Sequence, residues 1–333
     1  MLDLCTLFNS LQCPDNSVDE NMRFSAQPIP GYERHRLGKD KQETPSLLIS
    51  VSDSTENQRP IPIRLEYLSI QYDVDCRISY PDGSIEEGYF TIIRCTGSEK
   101  VLHDYFLRII GAIVISLGPT PTRIDVAQAI DKLVELFRAM TEKPRKSIQG
   151  LWAELFLIAR ARKTATMVAA WHVTPNDCYD FSAGNHRIEV KSVAGRVRQH
   201  HFMLEQLCPP ADTNVLIASL FVEHAGSGTS VMELIESIRL RISKHPDLVL
   251  QFDRMIALTI GKYWRYASEE RFDRELAEES LAFFEPCAIP MINPSLPTGV
   301  SAVHFKSDLT GRPTANLVHY RAMGGLFQAA LRR

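Results

Sequence analysis

Apolar and polar residues alternate strictly between positions 70 and 80. Ile70, Tyr72, Val74, Cys76, Ile78 and Tyr80 are separated by Gln71, Asp73, Asp75, Arg77 and Ser79. A period of two puts the first set on one face, so the segment reads as a half-buried strand. Pro81-Asp82-Gly83-Ser84 supplies a turn, and residues 89–95 read as the returning strand. The pattern then changes period. Residues 101–117 predict a mostly buried helix stopped by Gly118-Pro119. Its most apolar run, 109–117, is too short to span a bilayer. A second helix carries Ile130, Leu133, Val134, Phe137 and Met140 on one face. Lys143-Pro144-Arg145-Lys146 interrupts it and marks a domain boundary. Ser147 is then placed to cap a third helix, from Ile148 to about Lys163.

Beyond that point strands and helices mix. Residues 215–222 form a continuous apolar run suited to a central strand, and a helix from about 230 to 243 follows. Two later helical stretches flank a segment with Pro286, Pro290, Pro294 and Pro297, and 300–305 reads as a late strand. Residues 1–45 are polar, contain Pro14, Pro28 and Pro30, and read as a loosely ordered arm. The expected organisation is therefore this arm, an α+β domain over 46–145, and an α/β domain over 146–333. Nothing in the α+β domain carries a chemical signature; the role expected for it is specificity or partner docking.

Composition narrows the class. With 333 residues, 44% hydrophobic and 23% charged, the chain is long enough for two ordinary globular domains. A net charge of −3 excludes a protein that coats nucleic acid through charge alone, so any DNA contact must be a local basic patch. Seven cysteines with no C-x-x-C pair argue against a disulfide framework or structural zinc and fit a reducing cytoplasm. No secretory signal is visible at the N-terminus, so a cytoplasmic location is expected.

The informative stretch runs from Tyr179 to Lys191. Gly184-Asn185 is a two-residue hairpin signal, with glycine where a type II′ turn needs positive φ. With those two as the loop, Asp180 lies opposite Glu189, and directly opposed residues share a face. Two carboxylates so placed repel unless a cation sits between them, and converging oxygen ligands suit Mg²⁺ or Mn²⁺. Alternation in Ile188-Glu189-Val190-Lys191 puts Lys191 on the same side as the acids. A cation there can hold a water or stabilise charge on an attacked phosphate. E-x-K alone is equally a surface ion pair on an exposed strand; the opposed Asp180 is what raises the catalytic reading beside it.

Three further features surround this core. Glu154 lies among Leu151, Leu157 and Ile158, and a glutamate on an apolar helix face needs a partner. That partner is either the metal or an arginine such as Arg160 or Arg162. Arg196, Arg198, His200 and His201 follow the motif closely and are candidates to bind phosphates flanking a scissile bond, or else form a solvated loop. Gln206 has a side chain able to contact a base edge or orient a water. Pro81-Asp82 with Glu86-Glu87 is a decoy, because Gly88 stands where a lysine would be needed.

The run Gly-Leu-Trp-Ala-Glu-Leu (150–155), Trp171, Pro175, Asp180-Phe181, Ile188-Glu-Val-Lys191, Arg198-x-His-His-Phe202 and Glu205-Gln-Leu207 resembles the DUF4420 group of PD-(D/E)XK proteins. These are bacterial proteins related to restriction endonucleases that tend to accompany DNA-modification and phage-defence genes. The resemblance spans most of the chain and is most specific in the central block. It implies a restriction-endonuclease-like α/β fold, a mixed central sheet flanked by helices. It also implies a Mg²⁺-dependent or Mn²⁺-dependent DNA endonuclease that leaves a 5′-phosphate and a 3′-hydroxyl. By the same resemblance Asp180, Glu189 and the carbonyl of Val190 bind metal, Lys191 serves catalysis, and Glu154 tunes the metal or binds a second one. Tyr179 replaces the proline of the name motif.

The implied partners are DNA and other defence subunits, a methyltransferase or an ATPase among them. Cutting both strands would suit a homodimer. The alternative is a non-catalytic nuclease-like subunit that binds DNA or assembles a complex in which another chain cuts.

Overall fold

The computed structural model describes residues 2–13, 23–50, 60–80, 84–144, 146–173, 177–267, 269–292 and 297–332. Most of the Pro81–Ser84 turn lies outside them, as do Pro14, Pro175 and Pro294. The chain begins with helix α1 (Leu4–Ser10) and strands β1 (Arg23–Ile29), β2 (Tyr32–Lys39), β3 (Pro45–Ile49), β4 (Ile63–Arg64), β5 (Leu68–Ser79) and β6 (Ile85–Cys95). Helices α2 (Lys100–Leu117), α3 (Arg123–Ala139), α4 (Ile148–Arg160) and α5 (Thr164–Ala170) come next. Then follow β7 (Phe181–Ala183), β8 (His186–Val193), β9 (Gln199–Met203), α6 (Leu204–Leu207), β10 (Asn214–Phe221), β11 (His224–Ser230), α7 (Val231–Ile242) and α8 (Pro246–Ile260). The last elements are β12 (Arg271–Phe272), α9 (Arg274–Ser280), β13 (Ala282–Phe284), β14 (His304–Asp308), α10 (Leu317–Ala322) and α11 (Gly325–Ala330). The architecture is mixed α/β, and among the described residues no helix is long and apolar enough to cross a membrane.

Two compact units result, one from residues 1–143 with 244–262, the other from 144–243 with 263–333. In the first, strands pair in the order β1-β2-β3-β6-β5-β4, and β1 also pairs in parallel with β5. That extra pairing closes five strands into a ring. Phe24, Ala26, Leu48, Cys76, Ile78, Phe90 and Ile92 cluster within it. Three differences from the sequence pattern appear here. The polar stretch predicted as a loose arm over 1–45 instead contains α1, β1 and β2 and ends where β3 begins. Its strands are held by ladder hydrogen bonds to distant segments, which local hydropathy does not register.

The alternation over 70–80 is broken by a bulge between Gln71 and Val74, where Asp73 has φ +47°. Ile70 therefore pairs with Ile93, whereas Val74 pairs with Phe90 on the opposite face. Helix α8 belongs to the first unit rather than to residues 146–333. It packs on α2 and α3 through an apolar face that includes Phe252, Ile256 and Ile260.

The second unit is built on a sheet of order β13-β10-β8-β7, with β8 and β10 parallel and both outer strands antiparallel. The apolar run of β10 occupies a central place, buried from Val215 to Leu220. Ser147 caps α4 by accepting the Gly150 N–H at 3.1 Å. Every α4 residue from Leu151 to Arg160 is buried. The helix packs on β8, α5 and α7, so a charged side chain in its middle cannot reach bulk water. The late strand β14 lies further along than the 300–305 pattern predicts, since its register is set by pairing with β9.

Candidate metal centre

Local chemistry fixes the hairpin first. Phe181 pairs with Ile188, Ser182 with Arg187 and Ala183 with His186, leaving Gly184-Asn185 as the two-residue loop. Gly184 has φ +55°, the left-handed backbone that glycine adopts without a Cβ penalty. Asp180 stands one step before the first pair, across from Glu189. Its Oδ2 accepts the Val190 N–H at 2.8 Å, and Glu189 Oε2 accepts the Asp180 N–H at 3.3 Å. Tyr179, in the place of the missing proline, anchors the entry by donating its hydroxyl to the Glu205 carbonyl at 3.1 Å.

Helix α4 brings in Glu154, and the acids are 2% (Glu154), 4% (Asp180) and 5% (Glu189) exposed. Glu154 has neither Arg160 nor Arg162 as its partner; Arg160 pairs instead with Glu278 at 2.8 Å. The Lys146 ammonium lies 2.5 Å from Glu154 Oε1 and also bonds Asp180 Oδ1. Glu154 Oε2 accepts the Trp171 indole N–H at 2.8 Å and bonds His172 Nε2 at 2.9 Å. Among the described residues, Glu154, His172 and Asp180 offer donor atoms that all lie within 4.8 Å of one another.

Lys191 shares the side of Glu189, as the alternation requires. Its Nζ is 2.7 Å from Glu189 Oε1, donates to Gln206 Oε1 at 3.1 Å, and sits 5.1 Å above the Phe202 ring. Gln206 is buried and donates to the Cys178 carbonyl at 3.0 Å. Its Oε1 accepts from both Lys191 and the Met203 N–H.

Electrostatics follow from this packing. Burial works against the charge on Lys146, but Asp180 and Glu154 outweigh it and hold the ammonium above the ordinary lysine range. Burial likewise pushes Glu154 up, yet Lys146 and His172 bring it well below the usual carboxylate range. Glu189 goes the other way: burial and the nearby Asp180 charge push it up to about 8, with Lys191 opposing. Three carboxylates against two ammoniums leave an excess of negative charge, which favours a proton on Glu189. Buried oxygen donors with a charge deficit fit a divalent cation.

The basic segment after the motif divides. Arg196 is 67% exposed and pairs with Glu223 at 3.3 Å, and His201 faces outward on β9. Arg198 turns inward. It donates to the Ser219 carbonyl at 2.8 Å, to Ser219 Oγ at 2.9 Å and to the Ser280 carbonyl, with its guanidinium 4.6 Å over Phe221. His200 is buried with Nε2 2.8 Å from Ser219 Oγ, and burial lowers it to about 4, so it is neutral at pH 7. Both side chains are held inward by Ser219 on β10. Arg198→Ala is accordingly expected to lower stability by about 2 kcal/mol, because two carbonyls lose their donor. A urea titration measures this; an unchanged midpoint would mean those contacts are not formed.

Lys146 and His172 carried no signal in the sequence. Lys146 precedes the helix cap inside a polar linker, and His172 follows α5 with no helical or strand spacing to Glu154 or Asp180. Only the tertiary fold brings them in.

A family model described as "Putative PD-(D/E)XK family member, (DUF4420)" matches residues 6–310. No curated protein and no solved structure matches the chain.

Proposed function

The chain belongs to the DUF4420 family, and on that premise we propose that it is a divalent-metal-dependent endonuclease that hydrolyses DNA phosphodiester bonds in a bacterial restriction or phage-defence system. The observation that carries the reading is the buried Glu154–Lys146–Asp180 cluster with the Glu189–Lys191 pair beside it, Glu189 accepting the Asp180 N–H. The mixed sheet β13-β10-β8-β7 with its flanking helices supports a restriction-endonuclease-like core.

In this proposal Asp180, Glu189, Glu154 and the Val190 carbonyl hold Mg²⁺ or Mn²⁺. The ion, when bound, supplies Lewis-acid stabilisation of the phosphate and a more acidic water. Asp180 is preset for this role, since the Val190 N–H fixes Oδ2 and leaves Oδ1 directed at the cluster. Lys191 is held by Glu189, Gln206 and the Phe202 face, so its charge is fixed where negative charge grows on the phosphate oxygens. Lys146 occupies the carboxylate pair Glu154–Asp180 and must give up those contacts for a divalent cation to enter.

The test is incubation of the purified chain with duplex DNA and Mg²⁺ or Mn²⁺, alone and with the neighbouring gene products. Cleavage blocked by a chelator and leaving 5′-phosphates is expected. Intact DNA under every condition would remove the nuclease reading. That result would leave a non-catalytic subunit, which the inward-turned Arg198 and His200 favour because they thin the basic surface beside the motif.

Metal affinity should also depend on pH. With Glu189 raised to about 8, a divalent cation displaces its proton at neutral pH. Affinity therefore rises with pH, by up to about tenfold per unit below 8, and flattens above. Titration calorimetry at pH 7 in two buffers of different ionisation enthalpy should show close to one proton released; none released contradicts the assignment.

A further inference from the structure

We propose that His172 is itself a metal ligand of this centre, beside Glu154 and Asp180, and that it turns the site toward a first-row transition ion such as Mn²⁺ in preference to Mg²⁺. The inference rests on the metal-dependent reading above and deepens it by naming a donor that the acid-and-lysine motif does not contain.

Geometry comes first. His172 Nε2 lies 2.9 Å from Glu154 Oε2 and 3.9 Å from Asp180 Oδ1. Donors bound at about 2.1 Å to one octahedral ion sit roughly 3 Å apart when adjacent and about 4.2 Å apart when opposite. Both observed separations fall in that range. Lys146 Nζ, against Glu154 Oε1 and Asp180 Oδ1, shows that a cation fits between the two carboxylates.

The backbone supplies a second, independent observation. His172 has φ +43°, a left-handed conformation uncommon for a residue with a side chain and costly unless the surroundings impose it. Its N–H donates to the Asp180 carbonyl at 2.9 Å, and the preceding Trp171 holds the same Glu154 oxygen that His172 meets. Strain is thus kept at the one position that directs an imidazole at both acids. A plain structural partner for Glu154 would not need it, because Trp171 and Lys146 already satisfy that carboxylate.

The chemistry then sets the ion. A neutral imidazole nitrogen suits Mn²⁺ and the later divalent ions, whereas Mg²⁺ prefers oxygen and gains little from it. On binding, Nε2 would give up the proton it now donates to Glu154, and the ring would carry its single proton on Nδ1.

Pulsed electron paramagnetic resonance of the Mn²⁺-loaded full chain tests this directly. A ¹⁴N modulation from a coordinated imidazole is expected in the wild type and should vanish in His172→Asn. Asparagine is chosen because it tolerates left-handed backbone, and His172→Gly is the second variant that relieves the strain altogether. Calorimetry should show Mn²⁺ affinity falling about tenfold or more in both variants, with Mg²⁺ affinity changing less than about threefold. Saturable Mn²⁺ binding with no ¹⁴N signal, or with a signal that persists in both variants, overturns the role of His172 and leaves the metal-dependent reading standing. Absence of saturable binding of either ion overturns both.

Discussion

Asp180→Asn is expected to reduce metal-dependent DNA cleavage about a thousandfold or more while the protein stays folded. The substitution keeps the shape of the side chain and an oxygen that can still accept the Val190 N–H, now 2.8 Å from Oδ2. What it removes is charge. With one carboxylate gone, the two remaining acids are balanced by Lys146 and Lys191, and the electrostatic demand for a divalent cation disappears. A single preorganised electrostatic group is worth about 10²–10³ in rate, and loss of the metal removes more than one such contribution. Lys191→Ala should lose about a hundredfold in the same assay, since it deletes the fixed ammonium and not the ion site. Rates at saturating Mg²⁺ and Mn²⁺, with circular dichroism to confirm folding, decide the matter. Wild-type cleavage by both variants would refute the assigned site.

The second large effect is on stability. Trp152→Ala should destabilise the protein by about 3–5 kcal/mol. Trp152 is fully buried two residues before Glu154, stacked on Phe156 at 5.4 Å and tilted against Phe272 at 5.5 Å. Its indole N–H donates to the Thr229 carbonyl at 2.8 Å, so truncation leaves both a cavity and an unpaired buried acceptor. Trp152→Phe keeps most of the volume and should cost clearly less. Chemical denaturation of the three proteins gives the comparison. A loss below about 1 kcal/mol for the alanine variant would show that the packing around α4 is looser than described.

Several parts of this molecule were legible from residues close together in the chain. The Gly184-Asn185 loop places Asp180 across from Glu189, and the structure has that register. Ser147 caps α4, and α7 starts next to position 230, as expected. The apolar face of α3 and the continuous run of β10 appear where their periods put them. Glu154, an acid on an apolar helix face, does have a polar set of partners, though these are Lys146, Trp171 and His172 rather than an arginine.

Other features escaped the same reading for identifiable reasons. The bulge at residues 71–74 reverses the face of Ile70 relative to Val74, and an unbroken alternation hides it. The strands of the first 49 residues depend on hydrogen bonds to β5 and β6, so their polar sequence looked unstructured. Arg198 and His200 resemble phosphate ligands by composition, but Ser219 and Ser280 draw them inward.

The sequence by itself determined the hairpin and the starts of α4 and α7, because each depends on backbone sterics and on periods that repeat within about ten residues. Tertiary structure alone decided which cations neutralise the acids, where α8 packs, and that His172 joins the cluster. Burial is a property of the assembled units. A carboxylate raised to about 8, and another held low by an ammonium 2.5 Å away, exist only once segments from residues 146 to 189 exclude water together.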